Sequence, residues 1–261
     1  MIITDQLNRK IEFNFPPKKI ISLVPSQSEL LWDLGLQQEL IGITKFCVHP
    51  KEMFHSVKRI GGTKTIKLDE IAKLNPDLII ANKEENQQEQ IEELCKYFPV
   101  YISNILTIQD ALQMIEQVGL ICNREHAAKD IAKKINEQYL LFINKNKRKE
   151  LRVAYLIWRE PYMAAGSVNF INEMLSVSQL KNVFANHEGR YPEIKIKELQ
   201  KENPDLVLLS SEPYPFKEKH IKELQTHLPN TRIMLVNGEM FSWYGSRLLY
   251  TFNYFETLFP V

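Results

Sequence analysis

The chain has 261 residues, 44% of them hydrophobic and 25% charged, enough to bury a sizeable core without a disulfide framework or a structural metal. Its 33 basic and 32 acidic residues leave a formal charge of +1, which excludes the strong field expected of a nucleic-acid or anionic-membrane binder. Cys47, Cys95 and Cys122 are an odd set with no CxxC pair, which argues against a thiolate zinc site.

The opening, MIITDQLNRKIEFNF, lacks the basic flank, apolar stretch and small-residue cleavage site of an export signal. No run of about 18 apolar residues occurs, so membrane insertion is not expected. If the sequence is complete, the expected location is cytoplasmic. Residues 20–24 (IISLV) read as a buried strand stopped by Pro25, and Ser26 or Ser28 is expected to cap a helix over 29–36. A short strand follows at 41–44, then a helix at 67–74 broken by Asn-Pro-Asp before the buried strand 78–81. A helix over 86–98, ended by Pro99, leads to a strand at 100–102. This alternation predicts a parallel, doubly wound sheet.

From residue 107 to about 147 the strand signal disappears and apolar residues recur at helical spacing, with Asn123 or Arg124 dividing two helices. The second helix is expected to exceed about 20 residues, and the lysine-rich 145–149 to be its solvated end. Strands return at 151–157, 206–209 and 233–236. The expected organisation is an α/β lobe over 1–122, a backbone helix over 123–149 and a second α/β lobe over 150–261.

An internal repeat supports two similar lobes. TIKLDEIAKLNPDLII (65–80) aligns without gaps on EIKIKELQKENPDLVL (193–208), with eight of the sixteen positions identical and four more exchanging one aliphatic for another. One such unit per lobe is the wrong number for a solenoid.

KKIISLVPSQSELLWDLGL, IGITKFCVHP, RIGGTKTIKLDEIAKLNPDLII and RYPEIKIKELQKENPDLVLL, in that order, resemble the class III periplasmic binding proteins, receptors for cobalamin, haem and ferric siderophores. The resemblance runs from about Lys18 to the end and implies two Rossmann-like lobes joined by a long helix, a ligand held in the cleft between them, and a periplasmic location. It also implies docking on an ABC permease through one acidic residue per lobe. Asp69 stands at the first position. Lys197 occupies the second, a charge reversal beside which Glu198 is the acidic candidate.

Candidate ligand contacts lie at strand carboxyl ends, where open α/β sheets bind ligands. In the first lobe these are Ser26, Gln27 and Ser28 in a loop able to present backbone N–H groups, or else to cap a helix; His49, a candidate axial ligand to the metal of a bound chelate; and Lys83, Glu84 and Asn86. In the second lobe they are Trp158, Arg159 and Met163; Glu212, Tyr214 and Phe216; and Trp243, Tyr244 and Arg247. These aromatic loops are expected to converge on one surface suited to a large flat ligand, with the arginines as planar donors, unless Trp158 and Trp243 are core.

GxGxxG, Walker, GxSxG and HExxH signatures are absent, so a catalyst is not expected. The expected function is the substrate-binding protein of an ABC-type importer: a monomer with no intrinsic cofactor, whose ligand is a corrinoid, haem or ferric siderophore. The competing readings are an intracellular enzyme that handles a tetrapyrrole or metal, and a ligand sensor that has kept the receptor fold.

Overall fold

The computed structural model describes residues 1–145 and 149–260. The chain forms two compact units: Met1–Ile105 with Gln109–Asn136 and Trp243–Leu249, and Leu106–Ile108 with Glu137–Ser242 and Tyr250–Val261.

The first unit opens with an antiparallel hairpin, β1 (Ile2–Thr4) and β2 (Lys10–Glu12). The Asp5 carboxylate fixes it by accepting from the amides of Leu7, Arg9 and Ile102 and from the Arg9 guanidinium. The apolar runs then become β3 (Ile20–Ser22), β4 (Leu40–Ile43), β5 (Lys58–Arg59), β6 (Leu78–Asn82) and β7 (Val100–Ser103). They form one parallel sheet in the order β5-β4-β3-β6-β7. The order reverses between β3 and β6, so this is a doubly wound sheet with its switch point there. Helices α1 (Pro25–Asp33), α2 (Lys51–Ser56), α3 (Leu68–Leu74) and α4 (Gln88–Cys95) fill the crossovers. Ile71 of α3 and Ile91 and Leu94 of α4 pack with Ile21, Leu23, Ile79, Ala81 and Ile102 of the sheet side.

The long helical region divides where expected. Between α5 (Ile108–Ile121) and α6 (Glu125–Lys145), Asn123 takes a left-handed φ of 57°. Gly119 permits the close turn, since a Cβ there would overlap the Ala128 side chain. The 21-residue α6 gives residues to both units. Part of the basic stretch expected to be its solvated end, residues 146–148, lies outside the described residues.

The second unit contains β8 (Leu151–Trp158), β9 (Tyr162–Ala164), α7 (Phe170–Val177), β10 (Leu180–Asn182), β11 (Glu193–Ile194), α8 (Ile196–Glu202), β12 (Leu206–Ser210), α9 (Glu218–His227), β13 (Arg232–Val236), α10 (Glu239–Ser242) and most of α11 (Leu248–Leu258). Its sheet runs β11-β9-β8-β12-β13, with β10 beside the first half of β8. The pairs among β8, β10, β12 and β13 are parallel, whereas β9 is antiparallel to β8 and β11. The second sheet is therefore mixed. Tyr155, Phe241, Phe255, Phe252 and Phe142 form its aromatic core, with ring centroids 4.7 to 6.1 Å apart.

The repeat is physical. Asn75 and Asn203 end α3 and α8 with matching left-handed backbones, φ 47° and 43°. Asn tolerates this conformation better than most residues, which accounts for the shared Asn. The shared aspartates work alike too. The Asp77 carboxylate accepts from the amides of Lys18 and Lys19 ahead of β3, and that of Asp205 accepts from the amide of Arg152 in β8. Each fixes the start of the neighbouring strand.

Candidate ligand-binding faces

On the first unit, α1 begins at Pro25 rather than near Glu29, with Val24 as an extended N-cap and no side-chain cap. Proline suits the first helical position because its missing N–H is not needed there. Ser26, Gln27 and Ser28 consequently lie in the first turn, with their residues at most 3% exposed. The expected capping by Ser26 or Ser28 does not occur. The Ser28 hydroxyl instead lies 2.8 Å from both the Val24 carbonyl oxygen and Ser22 Oγ, and 3.1 Å from Cys47 Sγ. Cys47 also meets Thr44 Oγ1, and burial pushes its thiol up, so it is an inert packing group.

Gln27 Nε2 donates to Ser103 Oγ, which donates in turn to the Ala81 carbonyl. Asn86 knits the two sides of the switch point: its Oδ1 accepts from the Asn82 amide, and its Nδ2 donates to the Leu23 and Thr63 carbonyls. Asn82 Oδ1 accepts from the amides of Glu84 and Glu85, closing an Asx-type turn. Lys83 is exposed and Glu84 half-buried on that turn. Ser26, Gln27 and Ser28 are thus buried in the first turn of α1 and Asn86 in the loop after β6, with Ser28, Gln27 and Asn86 hydrogen-bonded to neighbouring strands and loops.

The segment Trp243–Leu249 belongs to this unit rather than to the second. Gly245 lets it approach α1, since a Cβ there would overlap the Ser26 carbonyl oxygen. Arg247 donates to both Glu29 carboxylate oxygens at 2.9 and 2.5 Å, and Ser246 donates to Asp33. The Arg247 guanidinium lies 4.7 Å over the Trp243 ring, which meets the half-buried His49 edge-on at 5.8 Å. Burial raises Glu29 above the ordinary carboxylate range, against the lowering effect of Arg247, and burial raises Asp33 as well. Trp243 and Tyr244 are buried, at 6% and 5%. Sequence reading missed Glu29 and Asp33 because each looks like one more polar position on an amphipathic helix.

On the second unit, residues 158–163 form a hairpin rather than a loop. Trp158 ends β8 and pairs with Met163 of β9. Trp158 is 39% exposed, and its ring meets Tyr214 edge-on at 5.7 Å. Tyr214 in turn contacts Phe216 and His220, with centroids 4.8 and 5.5 Å away. Phe216 is core, packed with Leu209, Leu224 and Ile233. Arg159 binds both oxygens of Glu223 at 3.0 Å, contacts Glu160, and shares Glu223 with the Tyr162 hydroxyl. Burial pushes Glu223 up, but the hydrogen bonds from Arg159 and Tyr162 outweigh it and lower the carboxyl overall. Glu212 accepts from the Ser242 hydroxyl. Trp158 of the first aromatic loop meets Tyr214 of the second, while Trp243, Tyr244 and Arg247 of the third belong to the first unit.

Asp69 is exposed in the first turn of α3. Glu198 is exposed in the first turn of α8, where its carboxylate accepts from the Lys195 amide at 2.6 Å, and Lys197 beside it is exposed. Among the described residues, no group of three or more His, Cys, Asp or Glu is gathered to hold a metal ion, and no helix is long and apolar enough to cross a membrane.

Two parallel-cored units with aromatic and charged groups at strand carboxyl ends define an α/β solute-binding architecture. Residues 20–234 match the periplasmic binding protein family, and the chain belongs to it. It is 27% identical over 199 residues to a vitamin B12-binding protein of Vibrio parahaemolyticus, covering 76% of this chain and 72% of that protein. Its fold is that of the periplasmic vitamin B12 binding protein BtuF of Vibrio cholerae (TM-score 0.82, 20% identity, 95% and 100% of the two chains covered). It is also that of the periplasmic haem binding protein HutB of Vibrio cholerae (TM-score 0.77, 19% identity, 93% and 99% covered).

Proposed function

We propose that this chain is the solute receptor of an ABC-type importer, working as a monomer and not as an enzyme. Its ligand is a metal chelate of the corrinoid, haem or ferric-siderophore class, and the strand carboxyl-end groups named above are its proposed contacts. Family membership together with the likeness to vitamin B12-binding proteins carries this reading. The exposed Trp158 beside Tyr214 supports it, because a rigid aromatic corner offers broad apolar area at low entropic cost to a flat ligand. On the first unit, the half-buried His49 and Glu84 and the exposed Lys83 belong to the proposed set, and His49 is the proposed axial ligand to a chelated metal. Asp69 and Glu198 are the proposed permease contacts.

The test is titration of the full chain with cyanocobalamin, haemin and ferrichrome, followed by calorimetry and, for the coloured chelates, by spectral shift. One-to-one saturable binding of at least one, with the chelate recovered unchanged, is expected. No binding by any of them, or chemical conversion of one, overturns the reading.

A further inference from the structure

We propose that the Tyr214 hydroxyl is a pre-aimed hydrogen-bond donor for an amide or carboxylate oxygen on the rim of the ligand, and that His220 is the residue that aims it. This rests on the receptor reading above. The argument begins at the N-terminus of α9. His220 is the third residue of that helix and is 1% exposed. Its Nδ1 accepts a hydrogen bond from the backbone amide of Lys217 at 2.8 Å. A backbone N–H can only donate, so Nδ1 presents a lone pair and the proton of the neutral ring sits on Nε2.

Nε2 lies 3.2 Å from the Tyr214 hydroxyl oxygen. With the proton on Nε2, the imidazole donates and the phenol oxygen accepts. A phenolic O–H keeps close to its ring plane and has two orientations. The incoming Nε2–H occupies one side, so the hydroxyl proton is directed to the other. The opposite polarity would need a proton on Nδ1, facing the Lys217 N–H. Burial, with the nearby charges of Lys219 and Arg159, lowers the His220 pKa, which keeps the ring in this neutral form.

Tyr214 sits in the loop that follows β12, half-buried, with its ring held by Phe216, His220 and the partly exposed Trp158. A surface tyrosine that met only water would not need a buried histidine to choose its rotamer. An oriented O–H beside a partly exposed indole is suited to a planar ligand with acceptor oxygens at its margin. Tyr214 is thus a specificity-determining residue and His220 a positioning residue.

Two measurements on the full chain test this. Long-range proton–nitrogen correlation spectra, assigned by loss of the signal in His220→Leu, are expected to show the Nε2–H tautomer of His220; the Nδ1–H tautomer overturns the proposal. Titrations with cyanocobalamin and haemin are then compared across variants. Tyr214→Phe, which keeps the ring packing, is expected to lower affinity for a bound probe about three- to tenfold, the worth of one neutral hydrogen bond. His220→Leu is expected to lower it to a similar extent in the parent but not further in Tyr214→Phe. Additive losses would assign His220 a general structural role and overturn its positioning of Tyr214. Affinity within twofold of the parent for Tyr214→Phe overturns the Tyr214 proposal alone. Failure of the parent to bind either probe, or ferrichrome, overturns the receptor reading and takes the ligand half of this proposal with it.

Discussion

Replacing Arg247 with Met tests whether the Glu29–Arg247 pair fastens the segment Trp243–Leu249 to α1. Both side chains are only 12% exposed, and the contact is bidentate. Removing one partner of such a pair leaves the other charge buried and costs about 3–5 kcal/mol. Loss of the cation over Trp243 adds about 0.5–1 kcal/mol. The pH dependence identifies the cause. Burial already holds Glu29 above its ordinary value of 4.5 despite Arg247, and nearby Asp33 pushes the same way. Without Arg247 the Glu29 carboxyl rises further. In the window upward from 4.5, folded Glu29 is then protonated while unfolded Glu29 is ionised. The folded state binds more protons there, so stability falls as pH rises through the window. The variant's deficit is therefore largest at neutral pH and shrinks towards pH 4.5. Glu29→Gln removes the other partner and leaves the equally buried Arg247 charge beside a neutral amide, so it too is expected to destabilise, while its own stability loses the pH dependence that Glu29 contributes. Urea denaturation of the three proteins between about pH 4.5 and 7 measures all of this. A deficit of Arg247→Met that stays constant across the range, or below about 1 kcal/mol at neutral pH, would refute the reasoning.

Trp158→Ala is expected to weaken chelate binding by about 1–4 kcal/mol with little change in thermal midpoint, since its side chain is already partly in solvent, whereas Trp243→Ala is expected to cost about 3–5 kcal/mol of stability. Titration and urea unfolding of both variants check the pair, and the reverse pattern would exchange their roles. Asn203→Ala is expected to lose about 1 kcal/mol and Asn203→Gly much less, because only the former resists a φ of 43°. Equal losses would show that the side chain, not the backbone angle, matters. Lys197→Glu is expected to raise capture of the chain by a candidate ABC permease in detergent or nanodiscs, because it places an acidic group at the repeat position equivalent to Asp69; unchanged capture would show that the reversed charge is irrelevant.

The parts of the fold legible in the sequence are those that local physics encodes. Uninterrupted apolar runs became β6 and β12, the 3.6-residue spacing became α5 and α6, and Asn123 marked their division because asparagine readily takes a left-handed turn. Pro25 reads in sequence as a strand stop, but proline serves equally as a helix opener, and α1 starts about one turn earlier than the serines suggest. The hairpin β8–β9 has no sequence signal, because Arg159-Glu160-Pro161 carries no Asn-Gly or Asp-Gly turn. The return of Trp243–Leu249 to α1 had no local signature at all. It depends on Gly245 lacking a Cβ against Ser26 and on Arg247 reaching a carboxylate more than two hundred residues earlier.

The same distinction explains why a candidate site can be located from sequence but not resolved residue by residue. Strand carboxyl ends concentrate polar residues for two reasons: loops must satisfy their own amides and carbonyls, and ligands must be held. Sequence cannot tell these demands apart. Asn86, Ser28 and Gln27 meet the first, since each makes buried hydrogen bonds that join loops or strands. Trp158 and Tyr214 do not serve that demand, because a large, partly exposed aromatic corner satisfies no backbone group. Exposed apolar area at a strand end costs hydration without stabilising the fold, and a ligand that covered it would remove that cost. On that argument the geometric support for the receptor reading comes more from the aromatic corner of the second unit than from the polar loops of the first.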